Sequence, residues 1–164
     1  MSKRLNLRKF QQGVIDRLQT QDHADDHVAT LGVEIAGQNW LVSMSDIGGV
    51  LLPPPLTPVP FTKPWFLGMA NVRGTLYGVT DMAAYQQKGA ASGTSANRVL
   101  LVAERHAFNA ALLVDRVLGL RNAQTWTRSD EQAQIQYRDG QGNPWYKLDM
   151  AGLLGRPDFV QIGS

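Results

Sequence analysis

The sequence predicts a mainly β protein, built as two similar β lobes that follow an N-terminal amphipathic helix. The spacing of apolar residues changes from the helical period to alternation near Val28, and turn-forming residues then recur roughly every 8–12 residues. Two segments also repeat at a nearly constant offset. Short strands with regular turns are typical of small barrels and sandwiches, and 164 residues is enough for about one domain.

Residues 1–27 are predicted to form the amphipathic helix and a polar linker. Four apolar residues recur at a spacing that places them on one helical stripe: Leu7, Phe10, Val14 and Leu18. Basic side chains occupy most of the remaining surface: Lys3, Arg4, Arg8, Lys9 and Arg17. We interpret the segment as a helix packed on its own domain with a solvated basic face. The alternative is a helix that docks on a membrane or on a partner.

The linker contains two histidines at the spacing that lets two imidazoles share a metal from one helical face. These are His23 and His27, and Asp22 and Asp26 lie beside them. Ala24 stands where a zinc protease motif has glutamate. A solvated linker is the favoured interpretation, so we expect no metal and no cofactor. A metal-dependent enzyme is the less favoured alternative.

After the linker, a β-hairpin is predicted around a turn at Gly37–Asn39. Asp46–Leu52 predicts a further strand, kinked at Gly48-Gly49, where no side chain is available to pack. Pro53–Pro60 contains five prolines and favours polyproline II structure. Although this segment formally matches an SH3 ligand, we interpret it as a stiff connection between strands.

A second hairpin is predicted from Trp65–Val72 and Thr75–Thr80, with Arg73-Gly74 at the turn. Asp81 follows as the N-cap of a helical turn at Met82–Tyr85. Further strands are predicted within residues 98–102, 108–114, 115–120, 135–137 and 145–148.

Two pairs of segments form an internal repeat. Gly74–Tyr85 aligns without gaps on Gly142–Leu153 at an offset of 68 residues, and each segment contains Asp-Met-Ala. Leu41–Val50 resembles Ala110–Gly119 at an offset of 69 residues. Two such pairs predict two similar β lobes, each closed by an Asp-capped turn.

Composition argues against most enzymes. The chain has no cysteine, which excludes disulfides, thiol nucleophiles and cysteine-ligated zinc. Its net charge of +2 is a weak basis for nucleic-acid binding, so a small-barrel nucleic-acid binder is a minor alternative. The start of the chain has no apolar core of a secretory signal, and no apolar run approaches the roughly 20 residues of a spanning helix. We therefore expect a cytoplasmic protein with no direct membrane insertion.

Three ordered motifs resemble CheW-like domains. Val59–Asp81 is similar to the central signature of that family, which contains a proline pair and an Asn-x-Arg-Gly turn before a valine and an aspartate. Leu113–Val117 is similar to its Val-Asp-x-Val segment, and Leu148–Leu154 to its closing Leu-Asp-x-x-x-Leu-Leu. The resemblance covers about residues 30 to 155.

The resemblance implies a CheW-like fold of two intertwined five-stranded SH3-like β-barrel lobes, which we place at residues 28–158 with a tail at 159–164. It also implies a non-enzymatic adaptor. Such an adaptor couples the cytoplasmic tip of a methyl-accepting chemoreceptor to the regulatory domain of a CheA-like histidine kinase, at membrane-associated receptor arrays. The receptor tip is expected to meet apolar side chains of the groove between the lobes.

The family's Asn-x-Arg-Gly turn, implicated there in partner contact, matches Asn71, Val72, Arg73 and Gly74. The planar guanidinium of Arg73 suits carboxylates or carbonyls of a partner. An internal arginine that ties the turn to backbone carbonyls is the alternative, and the sequence leaves both open.

The chain also departs from the family pattern. Ala70 replaces the usual isoleucine or valine before the asparagine, and Thr80 replaces an aliphatic residue before the aspartate. The four tryptophans and the added N-terminal helix resemble the divergent PilI-type branch, which serves type IV pilus (twitching) chemosensory systems. A flagellar chemotaxis adaptor of the CheW type is the alternative.

Overall fold

The computed structural model describes residues 29–91, 93–129 and 134–163. The predicted N-terminal helix and the His23 and His27 pair lie outside the described residues. The strands of the described part are β1 (Thr30–Ile35), β2 (Gln38–Ser43), β3 (Ile47–Leu51), β4 (Phe66–Val72), β5 (Thr75–Asp81), β6 (Arg98–Val102), β7 (Ala110–Val114), β8 (Arg116–Arg121), β9 (Thr127–Ser129), β10 (Gln136–Arg138) and β11 (Pro144–Lys147). The α-helices of this part are α1 (Met82–Tyr85), α2 (Met150–Leu154) and α3 (Pro157–Val160).

The strands form two sheets, which confirms the mainly β prediction. One sheet has six strands in the order β8-β1-β2-β11-β10-β9, and the other has five in the order β3-β6-β7-β5-β4. The prediction of five strands in each lobe therefore fits one sheet. The other has one strand more, because the short strand β9 pairs with the outer side of β10.

The two sheets exchange chain segments. After β2 the chain leaves the six-stranded sheet through a short 3-10 turn at Met44–Asp46 and enters the five-stranded sheet at β3. It returns when β7 runs through Asp115 directly into β8. The six-stranded sheet is thus completed only when β11 pairs in parallel with β2, more than 100 residues later in the chain.

The structure confirms the internal repeat. The order β3-β6-β7-β5-β4 matches β8-β1-β2-β11-β10, with the same succession of antiparallel and parallel pairings. The buried residues Asp46 and Asp115 occupy equivalent places, 69 residues apart. Asp46 accepts a backbone hydrogen bond from Ala103 at 2.9 Å, and the Asp115 amide donates to the Glu34 carbonyl at 2.9 Å. Each of these contacts ties one strand crossover to the neighbouring hairpin.

The largest apolar core lies between the sheets and takes side chains from both of them. Strands β1 and β2 contribute from the six-stranded sheet, and β6 and β7 from the five-stranded sheet. Their opposite faces line a smaller core within each sheet. Gly32 shows this double burial, since a Cβ there would lie 2.9 Å from the Trp145 ring. Burial on both faces explains why these strands are nearly continuous in apolar residues.

Helix α3 extends the packed region beyond the predicted boundary at residue 158, which falls within this helix. Phe159 is 3% exposed and contacts two aromatic rings. Its ring centroid lies 6.0 Å from that of Trp65 and 5.3 Å from that of Tyr85. The Lys63 amide also donates to the Ile162 carbonyl at 2.7 Å, so the chain end is joined to the segment before β4.

Asp81 and Asp149 cap α1 and α2, as predicted from the repeat. Asp81 is 3% exposed, and its carboxylate accepts from the amides of Ala83 at 3.1 Å and Ala84 at 3.2 Å, and from that of Ala91 at 2.9 Å. Asp149 is exposed and accepts one such bond, from Gly152 at 3.0 Å. The aspartate of the Asp-Met-Ala motif therefore accepts more backbone hydrogen bonds in the five-stranded lobe than in the other lobe.

We predict that Asp81→Ala lowers the free energy of unfolding by about 2 kcal/mol or more, because three amides lose a buried acceptor. Asp149→Ala is the matched comparison and should cost about 1 kcal/mol, because it removes a single exposed cap. Urea unfolding of both variants measures the difference. Equal losses would contradict the unequal capping.

Candidate functional site

The predicted partner-binding residues lie at the tip of the hairpin formed by β4 and β5. Val72 pairs with Thr75, so the turn consists of Arg73 and Gly74. Their φ angles are 52° and 85°, and two successive positive φ angles define a type I′ turn, which suits the twist of a hairpin. The Asn71 side-chain oxygen accepts a hydrogen bond from the Gly74 amide at 2.9 Å. Asparagine and glycine thus have clear structural roles in the motif.

Arg73 has no such role. A residue with a side chain costs about 1–2 kcal/mol in the left-handed region, where glycine or asparagine is better tolerated. The Arg73 side chain is exposed, and it forms no hydrogen bond or ion pair with the described residues. The interpretation of Arg73 as an internal arginine is therefore wrong. The structure thus presents an exposed cation at the hairpin turn, in a backbone conformation that Ala36 of the Ala36-Gly37 turn also adopts.

Leu76 adds an apolar contact surface to the same hairpin. It lies directly opposite Asn71 in the ladder and is 54% exposed. Its neighbours along β5, Tyr77 and Val79, face the core of the five-stranded sheet. Alternation along β5 places Leu76 on the opposite face from these two residues. This alternation is visible in the sequence, but Leu76 is not among the residues that the sequence predicts to bind a partner.

Strand β4 lies at the edge of the five-stranded sheet, and the proline-rich segment covers part of that edge. Thr57 and Met69 exchange backbone hydrogen bonds of 2.8 and 2.9 Å. Gly68 has φ 132°, and a Cβ there would overlap the Thr57 carbonyl oxygen. The segment thus links β3 to β4, in agreement with the predicted stiff connection. The part of the β4 edge that continues beyond Met69 toward Asn71 leads to Arg73 at the hairpin turn.

The corresponding hairpin of the other lobe has a different tip. Gln141 aligns with Arg73 at the offset of 68 residues, and the loop runs from Asp139 to Asn143 between the paired residues Arg138 and Pro144. Desolvation raises the pKa of the Asp139 carboxyl, but hydrogen bonds from the Trp145 indole and from the loop amides outweigh it and hold that pKa below its usual value. This acid is therefore engaged within its own loop. The exposed turn arginine belongs to one lobe only.

Acidic and histidine side chains elsewhere do not form a metal site in the described part of the chain, where no group of three or more of them lies together. Asp46 contacts Arg105 and lies 2.8 Å from His106 Nε2. Asp81 and Asp149 are occupied as helix caps. These arrangements stabilise turns and helix ends.

The motifs, the paired lobes and the hairpin together define a two-sheet β domain with an internal repeat. Residues 29–156 match the family model of the CheW-like domain, and the chain belongs to that family.

Similar proteins agree with this assignment. Protein PilI of Pseudomonas aeruginosa is 31% identical over 114 residues, which are 70% of this chain. The match spans 64% of PilI, less than two thirds of its length. The crystal structure of the scaffolding protein TtCheW from Thermoanaerobacter tengcongensis has the same fold, with a TM-score of 0.67 at 15% identity. That match covers 82% of this chain and 97% of TtCheW.

We predict that Arg73→Asn raises the free energy of unfolding by about 0.5–1 kcal/mol, because Asn-Gly is the preferred pair of a type I′ turn. Gln141→Asn is the control. It lies outside the left-handed region and should change stability by less than about 0.5 kcal/mol. Urea unfolding measures both. A loss of stability in Arg73→Asn would show that the arginine side chain supports the turn.

Proposed function

We propose that this chain is a non-enzymatic adaptor that couples a methyl-accepting chemoreceptor to a CheA-like histidine kinase in type IV pilus chemosensory signalling. The observation that carries the proposal is the exposed, strained Arg73 on the Asn-x-Arg-Gly turn of a chain that belongs to the CheW-like family. The similarity to PilI supports the pilus system over flagellar chemotaxis, which is the second candidate.

The kinase regulatory domain is proposed to bind the tip of the β4–β5 hairpin. Arg73 offers a planar set of donors to a carboxylate, and Leu76 offers apolar area beside it. The partner residues are Asn71, Val72, Arg73 and Gly74, of which Asn71 and Gly74 act by holding the turn. An interface of about 800 Å² on each partner is the size of a standard specific complex.

The rest of the proposal follows the family. Each sheet is proposed to curl into an SH3-like barrel lobe, around the small apolar core that it contains. The receptor tip is proposed to contact exposed apolar side chains of the groove between the lobes. In the described part of the chain, no helix has the length and apolar character needed to cross a bilayer. We propose that the chain acts in the cytoplasm at receptor arrays, held there by its partners rather than by membrane insertion.

We predict that Arg73→Glu weakens binding to the regulatory domain of a pilus-system kinase by at least about tenfold, because it places a carboxylate against a carboxylate. The midpoint of thermal unfolding should change by no more than a few degrees, since the exposed Arg73 side chain forms no hydrogen bond or ion pair with the described residues. Isothermal titration calorimetry measures the affinity. Gln141→Glu introduces the same charge on the other hairpin and should leave affinity within about twofold.

Three outcomes would contradict this proposal. If Gln141→Glu weakens binding as much as Arg73→Glu, the effect is one of net charge and the contact lies elsewhere. If the folded protein binds only a flagellar-type kinase, the pilus assignment fails while the adaptor function stands. If it binds neither kinase, the adaptor function fails.

A further inference from the structure

Two strands at the edges of the sheets, β3 and β8, leave apolar side chains uncovered at the margin of the core between the sheets. Val50 on β3 pairs with the core residue Leu100, yet it is 42% exposed. Leu120 on β8 pairs with the core residue Leu31, and it is 65% exposed. Because directly paired residues lie on the same face of a sheet, Val50 and Leu120 are turned toward a core that they only flank. The core is therefore open along both of these edges.

The chain enters this margin at Ala29, the first residue that the structure describes. The Ala29 carbonyl accepts a hydrogen bond from the amide of Met44, whose side chain is partly exposed. On the other side of β1, Thr30 pairs with Arg121, the neighbour of Leu120. Met44 continues the line of β2 and Leu120 lies on β8, so β1 alone separates them, across about 10 Å. An α-helix has a diameter of about 10 Å, so one helix laid over the start of β1 contacts both side chains.

The charged side chains of β8 do not interrupt this apolar surface. The Arg121 guanidinium lies 5.7 Å from the centroid of the Trp145 ring, which belongs to the small core on the other face of the sheet. Arg116 forms an ion pair with Glu34 at 2.8 Å. The margin therefore suits the apolar side of an amphipathic segment.

Residues 1–28 precede the entry point and carry a matching apolar stripe. Four residues share one side of the helix that the sequence predicts there: Leu7, Phe10, Val14 and Leu18. Ten residues separate Leu18 from Ala29, and they span up to roughly 35 Å when extended. The linker is thus long enough for the stripe to return to the margin, with the basic side chains toward solvent.

We propose that the N-terminal segment docks its apolar stripe on this margin of its own chain and thereby covers the groove between the lobes. Its regulatory consequence rests on the proposed function, in which the receptor tip contacts exposed apolar side chains of the same groove. The segment then competes with the receptor from within the chain. The receptor binds only the fraction of molecules in which the segment has left the margin, and the apparent Kd rises by the inverse of that fraction.

A spin label tests the docking without any partner. The chain has no cysteine, so Gln11→Cys in the full-length protein provides a single site for a nitroxide beside the stripe. The methyl signals of Met44 and Leu120 should broaden. Those of Leu76 should not, because its hairpin lies at the opposite end of the five-stranded sheet from β3. No broadening at Met44 and Leu120 would overturn the proposal.

Two leucine variants of the labelled chain locate the docking surface. Leu120→Ser removes part of the apolar margin and should reduce the broadening at Met44. Leu76→Ser is the matched control, since Leu76 is 54% exposed but lies outside the margin, and it should leave that broadening unchanged. Equal effects of the two variants would overturn the assignment of the segment to this margin.

A mixed sample decides whose segment occupies the margin. Spin-labelled chains without ¹³C are combined with ¹³C-methyl-labelled chains that carry no spin label. Broadening in the second population would indicate docking between two copies and would overturn the intrachain proposal. The proposal also fails if the labelled chain shows no broadening but binds vesicles of phosphatidylethanolamine and phosphatidylglycerol, since the segment is then a membrane anchor.

Calorimetry with the cytoplasmic tip of a methyl-accepting chemoreceptor from a pilus system tests the competition. The double variant Phe10→Ser, Val14→Ser disrupts the stripe and should tighten binding about fivefold, as expected when about four fifths of the molecules are docked. The control Gln11→Ser, Gln12→Ser changes neighbouring polar residues and should leave affinity within about twofold. Unchanged or weaker binding by the stripe variant would overturn the competition. If no form binds the tip, the receptor contact of the proposed function fails and the competition with it, while the spin label still decides the docking.

Discussion

The apolar core between the two sheets is the interaction on which the rest of the structure depends. It takes β1 and β2 from one sheet and β6 and β7 from the other, so neither lobe buries its strands without its neighbour. The chain also exchanges segments between the sheets. The six-stranded sheet is completed only when β11 reaches β2. Helices α1 and α2 cover the same core through Met82 and Met150, and their aspartate caps hold them there. The two lobes are therefore expected to unfold together.

This rigid centre allows a costly feature at the periphery. The β4–β5 turn is stabilised by the hydrogen bond between Asn71 and Gly74, while Arg73 occupies a backbone conformation that disfavours it. The turn fixes only the position from which the arginine side chain extends, and the exposed guanidinium keeps its rotamer freedom until a partner binds. In the proposed function, stability is given up at the residue that contacts the partner, a compromise that is common where a surface is used for binding.

Features set by local chemistry were predicted from the sequence. The aspartate caps, the turn at Arg73-Gly74 and the kink at Gly48-Gly49 depend on a few neighbouring residues, and the repeat located the two lobes. Features that depend on distant contacts were not. The first hairpin turns at Ala36-Gly37, one residue earlier than predicted, and both β9 and α3 were missed. Lys147 is buried and donates a hydrogen bond to Ser43, 104 residues away, so no local pattern could indicate its burial. The exposure of Arg73 likewise required the structure.

The most direct test of the central claim is an NMR titration of the ¹⁵N-labelled chain with the regulatory domain of a CheA-like kinase from a pilus system. If the hairpin tip is the contact, the amide signals of Gly74 and Leu76 shift or broaden first and saturate with the complex. The signal of Gly142, on the hairpin of the other lobe, then stays unchanged. Shifts that centre on Gly142 or on β8, with Gly74 unaffected, would contradict the assignment of partner binding to the Asn-x-Arg-Gly turn.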